Sequence, residues 1–197
     1  MTHPLKCSCG AVRGSVETGH PTGHSLCYCK DCQAFARFLG REAEILDARG
    51  GCENIQTVPK YVRFETGAEH LACMRLTGKG LLRWYCACCN TPIGNTLPTC
   101  KLPFIALARP CIEAADPTVE QSFGPVRSSL FTRGARGEPK PKPFGAARTI
   151  FWILGNTTRR RFMRDFSPNP FFDTDADRPI VQPTILPTAE RARLREG

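Results

Sequence analysis

The sequence predicts a mainly β fold of antiparallel sheets around metal, followed by an irregular, partly helical extension. Three observations predict it. The first 115 or so of the 197 residues hold short alternating apolar runs separated by Gly-containing turns. Seven cysteines fall in three tight groups across that same region. After it the composition shifts to Gly, Pro and Arg. The reading is therefore a domain over residues 1–115 and a basic Pro/Gly-rich extension over residues 116–197, packed on or beside it.

Ala11–Glu17 alternates weakly and Tyr61–Glu65 more clearly, which is the period of a half-buried strand. The stretch from Gln33 to Phe38 reads as one helical turn or a loop. Leu71–Leu76 leads into the turn Thr77-Gly78-Lys79-Gly80, and Leu81–Tyr85 runs from it into the third cysteine group, as a hairpin would. Phe104–Ala108 is apolar throughout and predicts a strand buried on both faces. Trp84 and Tyr85 belong to the core. The metal knuckles are expected at hairpin tips. Residues 133–143 form a basic Gly/Pro linker or long loop. Ala146–Phe162 predicts a helix with Ile150, Phe151, Ile153 and Leu154 on one broad apolar surface, weakened or broken at Gly155 and Asn156. Thr188–Arg195 predicts a short terminal helix with Thr188 as N-cap and Glu190 in its first turn. No internal repeat is present.

The cysteines carry the chemistry. Cys7-Ser8-Cys9-Gly10 opens the chain, Cys27-Tyr28-Cys29-Lys30-Asp31-Cys32 comes next, and Cys86-Ala87-Cys88-Cys89 closes the set. Thiolates this close repel one another unless a soft cation lies between them, and zinc held by about four ligands is the usual one. Two pairs distant in sequence, Cys7/Cys9 and Cys86/Cys89, would staple one hairpin to another and supply folding energy. Cys27, Cys29 and Cys32 would hold a second Zn2+ with one corner vacant for chemistry, or for a fourth ligand such as Cys88, Cys100 or His24. The choice among Cys86, Cys88 and Cys89 stays open. Cys52, Cys73, Cys100 and Cys111 stand alone and read as buried small hydrophobes.

Composition narrows the setting. No apolar run approaches the roughly 20 residues that cross a bilayer. The amino-terminal stretch Met1–Cys7 lacks an apolar signal segment, so a cytoplasmic protein with reduced thiols is expected, in which clustered cysteines mean metal. The formal charge is +9; seven thiolates and two Zn2+ would bring it to +6. A basic balance suits an anionic small molecule, nucleic acid or an anionic surface. No Ser/His/Asp constellation is evident, and Gly78-Lys79-Gly80 lacks the rest of a phosphate loop.

The order and inner spacing of the three groups, with Ser25-Leu26 before the second, Gln33 after it, and Trp84-Tyr85 and Asn90-Thr91-Pro92-Ile93 around the third, resemble the glutathione-dependent formaldehyde-activating family, which includes the centromere protein V group. The resemblance spans roughly residues 5–110. It implies a β-tent fold, a structural zinc on Cys7, Cys9, Cys86 and Cys89, and a catalytic zinc on Cys27, Cys29 and Cys32. It also implies a carbon–sulfur lyase activity, run in reverse as the condensation of glutathione with formaldehyde to S-hydroxymethylglutathione. This chain has Asn90 where the family usually has Gly, and Asn tolerates the left-handed backbone such a knuckle needs.

On this reading the chain is a zinc enzyme acting on a thiol/aldehyde adduct, with Lys30, Arg37 and Arg75 as candidate cations for the thiol's carboxylates. The alternative is a non-enzymatic zinc module whose basic tail, with Arg159-Arg160-Arg161 at its centre, binds nucleic acid, a membrane or a protein. A methionine-R-sulfoxide reductase ranks last. It would need a redox cysteine away from the metal, Cys100 or Cys111, and its metal pairs are C-x-x-C rather than C-x-C.

Overall fold

The structure is a computed structural model and describes residues 1–196. It is mainly β. A three-stranded antiparallel sheet is built from β1 (Thr2–Lys6), β2 (Arg13–Glu17) and β5 (Val62–Thr66), with β2 at its centre. The larger sheet adds β3 (Gly23–Cys27), β4 (Cys52–Thr57), β6 (Leu71–Arg75), β7 (Leu82–Cys86), β8 (Pro92–Thr96) and β9 (Ile105–Ala108), in the order β3-β4-β9-β8-β7-β6 with antiparallel pairing throughout. Its edges come from the C-terminal half: β10 (Ser128–Leu130) lies parallel to β3, and β13 (Thr184–Ile185) parallel to β6. The sheet is thus mixed at both edges. A two-residue ribbon, β11 (Phe172–Asp173) with β12 (Arg178–Pro179), stands apart.

The alternating runs form strands for the expected reason. Thr2–Lys6 alternates exposed and buried, as does Arg13–Glu17, because the small sheet covers the core with one face only. Ile105–Ala108 is buried at every position, as its unbroken apolar run implies. The core centres on Trp84, which is fully buried, packs 5.1 Å from Phe171 and donates its indole N–H to Thr96 Oγ1 at 3.0 Å. Tyr85 faces the other way, edge-on to Phe35 and Phe38 in a second cluster with Leu39, Met74 and Leu186.

Five α-helices are described, besides four short 3-10 helices. Residues 33–38, a turn or loop by sequence, belong to a nine-residue helix, α1 (Lys30–Phe38). Its N-cap is Cys29, whose sulfur accepts from the backbone N–H of Cys32 at 3.3 Å. Asp31 in the first turn and Arg37 in the last complement the helix dipole. A short α2 (Glu42–Ile45) and α3 (Val119–Phe123) come next; α3 is closed by a capping box between Thr118 and Gln121. The helix α4 spans Ala146–Phe162 as expected, yet runs unbroken through Gly155 and Asn156. Its apolar surface is not sunk in the core: Ile150, Phe151 and Leu154 stay exposed, and the buried positions are Thr149 and Thr157. Thr149 donates to Ser128 Oγ on β10 at 2.9 Å, which turns the helix polar side inward. In α5 (Thr188–Glu196) the N–H of Arg191 bonds to Pro187 O, so Thr188 lies in the first turn instead of capping it. The helix packs on α1, with Arg37 donating to Leu194 O and Arg195 to Asp31. Residues 133–143 are a loop held to the domain by the Arg136 N–H on Arg49 O and by an ion pair from Arg136 to Glu42. No helix among the described residues is long and apolar enough to cross a membrane.

Candidate metal centres

The first and third cysteine groups sit at the tips of two hairpins. Cys7–Gly10 closes β1 to β2: the Cys7 N–H reaches Val12 O, and Gly10, at φ +77°, donates back to Cys7 O. Cys86–Asn90 closes β7 to β8, with the Asn90 N–H on Cys86 O at 2.8 Å. Asn90 adopts φ +55°, the left-handed conformation that Gly10 takes in the other knuckle. The folding of the sheets places the tips together, and the Sγ atoms of Cys7, Cys9, Cys86 and Cys89 all lie within 4.8 Å of one another. Cys88 is exposed and outside this group, to which the third cysteine group contributes Cys86 and Cys89.

Two hydroxyls and an arginine tie the knuckles. The Ser8 N–H donates to Thr91 Oγ1 at 3.0 Å, and Thr91 Oγ1 to Ser8 Oγ at 3.0 Å. Arg41 reaches Ser8 Oγ, Cys89 O and Thr91 Oγ1 from one guanidinium nitrogen. Burial works to raise the Cys89 thiol, but the Ser8 and Thr91 hydroxyls and backbone N–H groups hold it down at about 5. Neither Arg41 nor Ser8 is a metal ligand by type, so spacing arguments pass over them.

The middle group lies where β3 meets α1, not at a hairpin tip. Cys27 ends the strand, Cys29 caps the helix and Cys32 occupies its first turn, so the C-x-C-x-x-C spacing is the strand-to-helix junction itself. The three Sγ atoms lie within 4.8 Å of one another, with Cys32 to Cys27 at 3.7 Å. A zinc–sulfur bond of about 2.3 Å implies a tetrahedral edge of roughly 3.8 Å, so the spacing fits a tetrahedral ion. Hydrogen bonds from Cys27, then Cys29 and Cys52, hold the Cys32 thiol well below its usual range; hydrogen bonding to Cys29 and Cys32, with burial, pushes Cys27 well up. One charge shared among clustered sulfurs is an arrangement that a soft cation completes by displacing the remaining protons. The two cysteine groups can each hold a metal ion.

Cys52 is an isolated core thiol by sequence. It is indeed buried, but its place opposite Cys27 in the β3–β4 register brings it against Cys32. Only cross-strand register reveals that neighbour. His24, a candidate to face the second metal, does not do so. It lies three residues before Cys27 on a strand, hence on the opposite face, and its ring nitrogens are 2.6 Å from Gly124 O and 2.7 Å from Glu53 Oε1. Cys100 and Cys111 are buried, and desolvation pushes both thiols up to about 12, which removes the accessible redox cysteine a sulfoxide reductase requires. Cys73 is likewise a core thiol.

A cavity of about 600 Å³ opens beside Cys27, Cys29 and Cys32 and runs under α4. Lys30, Arg37 and Arg75, the cations the sequence suggests, do not line it. Arg75 donates to Gly80 O, and Arg37 serves Glu42 and Leu194. The cations that do line it are Arg83 and Lys79. Arg83 is 4% exposed, and its charge adds to the lowering of the Cys32 thiol.

Fold and site together define a mainly β protein carrying two thiol groups able to hold metal. The chain belongs to a family of unknown function, DUF6151, whose model matches residues 1–164. A comparison with curated proteins finds no match. A crystal structure of a Rhodobacter sphaeroides protein, a structural-genomics target, is 19% identical over 58% of this chain and 91% of that chain, with a TM-score of 0.41.

Proposed function

We propose that this chain is a two-zinc protein of the formaldehyde-activating type, in which the Cys27/Cys29/Cys32 centre works on a thiol/aldehyde adduct and the Cys7/Cys9/Cys86/Cys89 centre is structural. The observation that carries the reading is the placing of three clustered sulfurs on the wall of a large cavity, with the neighbouring Cys52 sulfur against Cys32 but outside that wall. Residues 1–115 would form the zinc-binding β domain, of β-tent type, and residues 116–197 an extension that roofs its cavity. Bound at the three sulfurs, zinc would act as a Lewis acid and favour the thiolate of an incoming thiol such as glutathione. The chain's own residues do the rest. The Cys29 cap fixes the first turn of α1, and with it the position of Cys32. Gln33 Nε2 donates to Tyr28 O at 3.0 Å and Gly134 O at 2.9 Å, fastening the strand-to-helix junction to the loop after β10. The α4 side chains Ile150, Ile153 and Leu154, which line the cavity, would limit the access of water to a bound adduct.

The test is zinc-dependent turnover of formaldehyde and glutathione above the spontaneous rate, with thiol binding measured by calorimetry. Turnover lost in Cys29→Ser supports the reading; no turnover and no thiol binding overturn it.

A second reading rests on α4 and the two residues beyond its end. Phe151, Phe162 and Met163 are exposed among Arg148, Arg159, Arg161 and Arg164, a pairing suited to an anionic membrane surface. Arg160, the middle of the Arg run, is engaged with Asp165 and Asn156. Salt-sensitive binding to anionic vesicles that disappears in Phe151→Ser/Phe162→Ser would favour this role.

A further inference from the structure

The cavity beside the second cysteine group contains a buried guanidinium that no carboxylate among the described residues pairs. Arg83 stands on β7 and is almost wholly buried. Its partners are neutral: Nη1 donates to Asn95 Oδ1 at 3.2 Å, and the guanidinium lies 5.3 Å over the Phe35 ring. Among the described residues no carboxylate pairs with it. Asp31, which also lines the cavity, is taken by Arg195 at 2.7 Å. A buried cation is costly unless it is paired, and the negative group near Arg83, the Cys32 thiol that its charge helps to lower, is shared with the rest of the cysteine group. The same cavity is lined by apolar side chains, Ile150, Ile153 and Leu154 from α4 with Phe104 and Phe131. Phe131 is 62% exposed and held at φ +55°. A bulky residue in that conformation costs on the order of 1–3 kcal/mol and is found mainly where a site requires it.

We propose that this cavity binds a carboxylate-bearing ligand with an apolar body, the carboxylate on Arg83 and the body under α4 and against Phe131. The guanidinium presents a planar fork suited to a carboxylate. The ligand covers Ile150, Leu154 and Phe131, which otherwise remain in water. This deepens the proposed function by naming the substrate class: the thiol that reaches Cys27, Cys29 and Cys32 carries an acid group and a hydrocarbon or aromatic portion. It rests on that reading for the thiol only; the carboxylate site stands on Arg83 and the cavity.

The experiment separates the two. Calorimetry compares 4-phenylbutanoate with 4-phenylbutanol, neither of which has a thiol, on the full chain, on Arg83→Gln and on Cys29→Ser, with zinc content measured for each. The expected result is a preference of about tenfold or more for the carboxylate, as a charge-assisted hydrogen bond gives. It falls to within about twofold in Arg83→Gln at unchanged zinc and persists in Cys29→Ser. Equal affinity of acid and alcohol for the full chain overturns the proposal, as does a preference that survives Arg83→Gln. Should Arg83→Gln fail to fold, Leu154→Glu on exposed α4 sets a second carboxylate over the cavity. It removes apolar wall from both ligands but repels only the acid, so the acid should weaken about tenfold more than the alcohol; equal weakening of the two contradicts the proposal. Turnover does not enter these readouts, so a failed formaldehyde assay and a failed carboxylate preference are told apart.

Discussion

At the scale of single residues, positions are set by hydrogen bonds that cross long sequence distances. Trp84 anchors the core because its one polar atom is satisfied by Thr96. Thr96→Val keeps the shape and leaves a buried N–H without a partner, which costs about 1–3 kcal/mol; urea unfolding should show that loss with little change in the denaturant slope. Gly67 shows a second kind of constraint. At φ +76°, a Cβ there would sit 2.1 Å from Ala11 O on the neighbouring hairpin. Gly67→Ala should lower stability by about 2–4 kcal/mol, measured the same way. The cysteine spacing makes the seven candidate ligands legible from sequence, since ligands adjacent in the chain need no knowledge of the fold. Arg41, Cys52 and Arg83 are not legible, because each gains its role from a partner brought in by the sheet: the facing knuckle, the opposite strand, or a cavity wall.

At the scale of elements, period-two patterning identifies the strands that face solvent on one side, such as Tyr61–Glu65, and an unbroken apolar run identifies Ile105–Ala108. Neither signal marks Cys52–Thr57 or Pro92–Thr96, whose Asn, Gln, Gly and Thr residues are buried despite their polarity. Such side chains find partners inside the sheet, as Asn54 does in donating from Nδ2 to Cys52 O at 2.9 Å, and polarity then no longer marks the surface. The helix α1 exceeds the single turn its sequence suggests because its N-cap is a cysteine, outside the usual Ser, Thr, Asp and Asn. The end of α4 makes a pH-dependent prediction. Burial raises the Asp165 carboxyl, but Lys60 at 2.7 Å and Arg160 more than offset it and hold the group below its ordinary 3.8. A carboxyl lowered in the folded state adds stability above its unfolded value and loses it as pH falls through the folded one. The segment after α4 should therefore become more open to amide exchange as pH drops below about 4, and Asp165→Asn should show that loosening already at neutral pH and lose the pH dependence.

At the scale of the whole molecule, the C-terminal half contributes strands to both edges of the large sheet and a helix to the roof of the cavity, so a change in composition after residue 115 is not a change in packing. The family match likewise extends to residue 164, past that shift. Two thiol centres stand in different surroundings: one between hairpin tips, flanked by Ser8, Thr91 and Arg41; the other open to a cavity with a buried arginine. The account depends on these being separate metal sites with separate work. The most direct measurement is zinc per chain by elemental mass spectrometry on the full chain and on Cys29→Ser. Two zinc ions falling to one, with the fold retained, is the predicted result. One zinc in both proteins would leave only the hairpin staple and contradict the assignment of thiol chemistry to Cys27, Cys29 and Cys32.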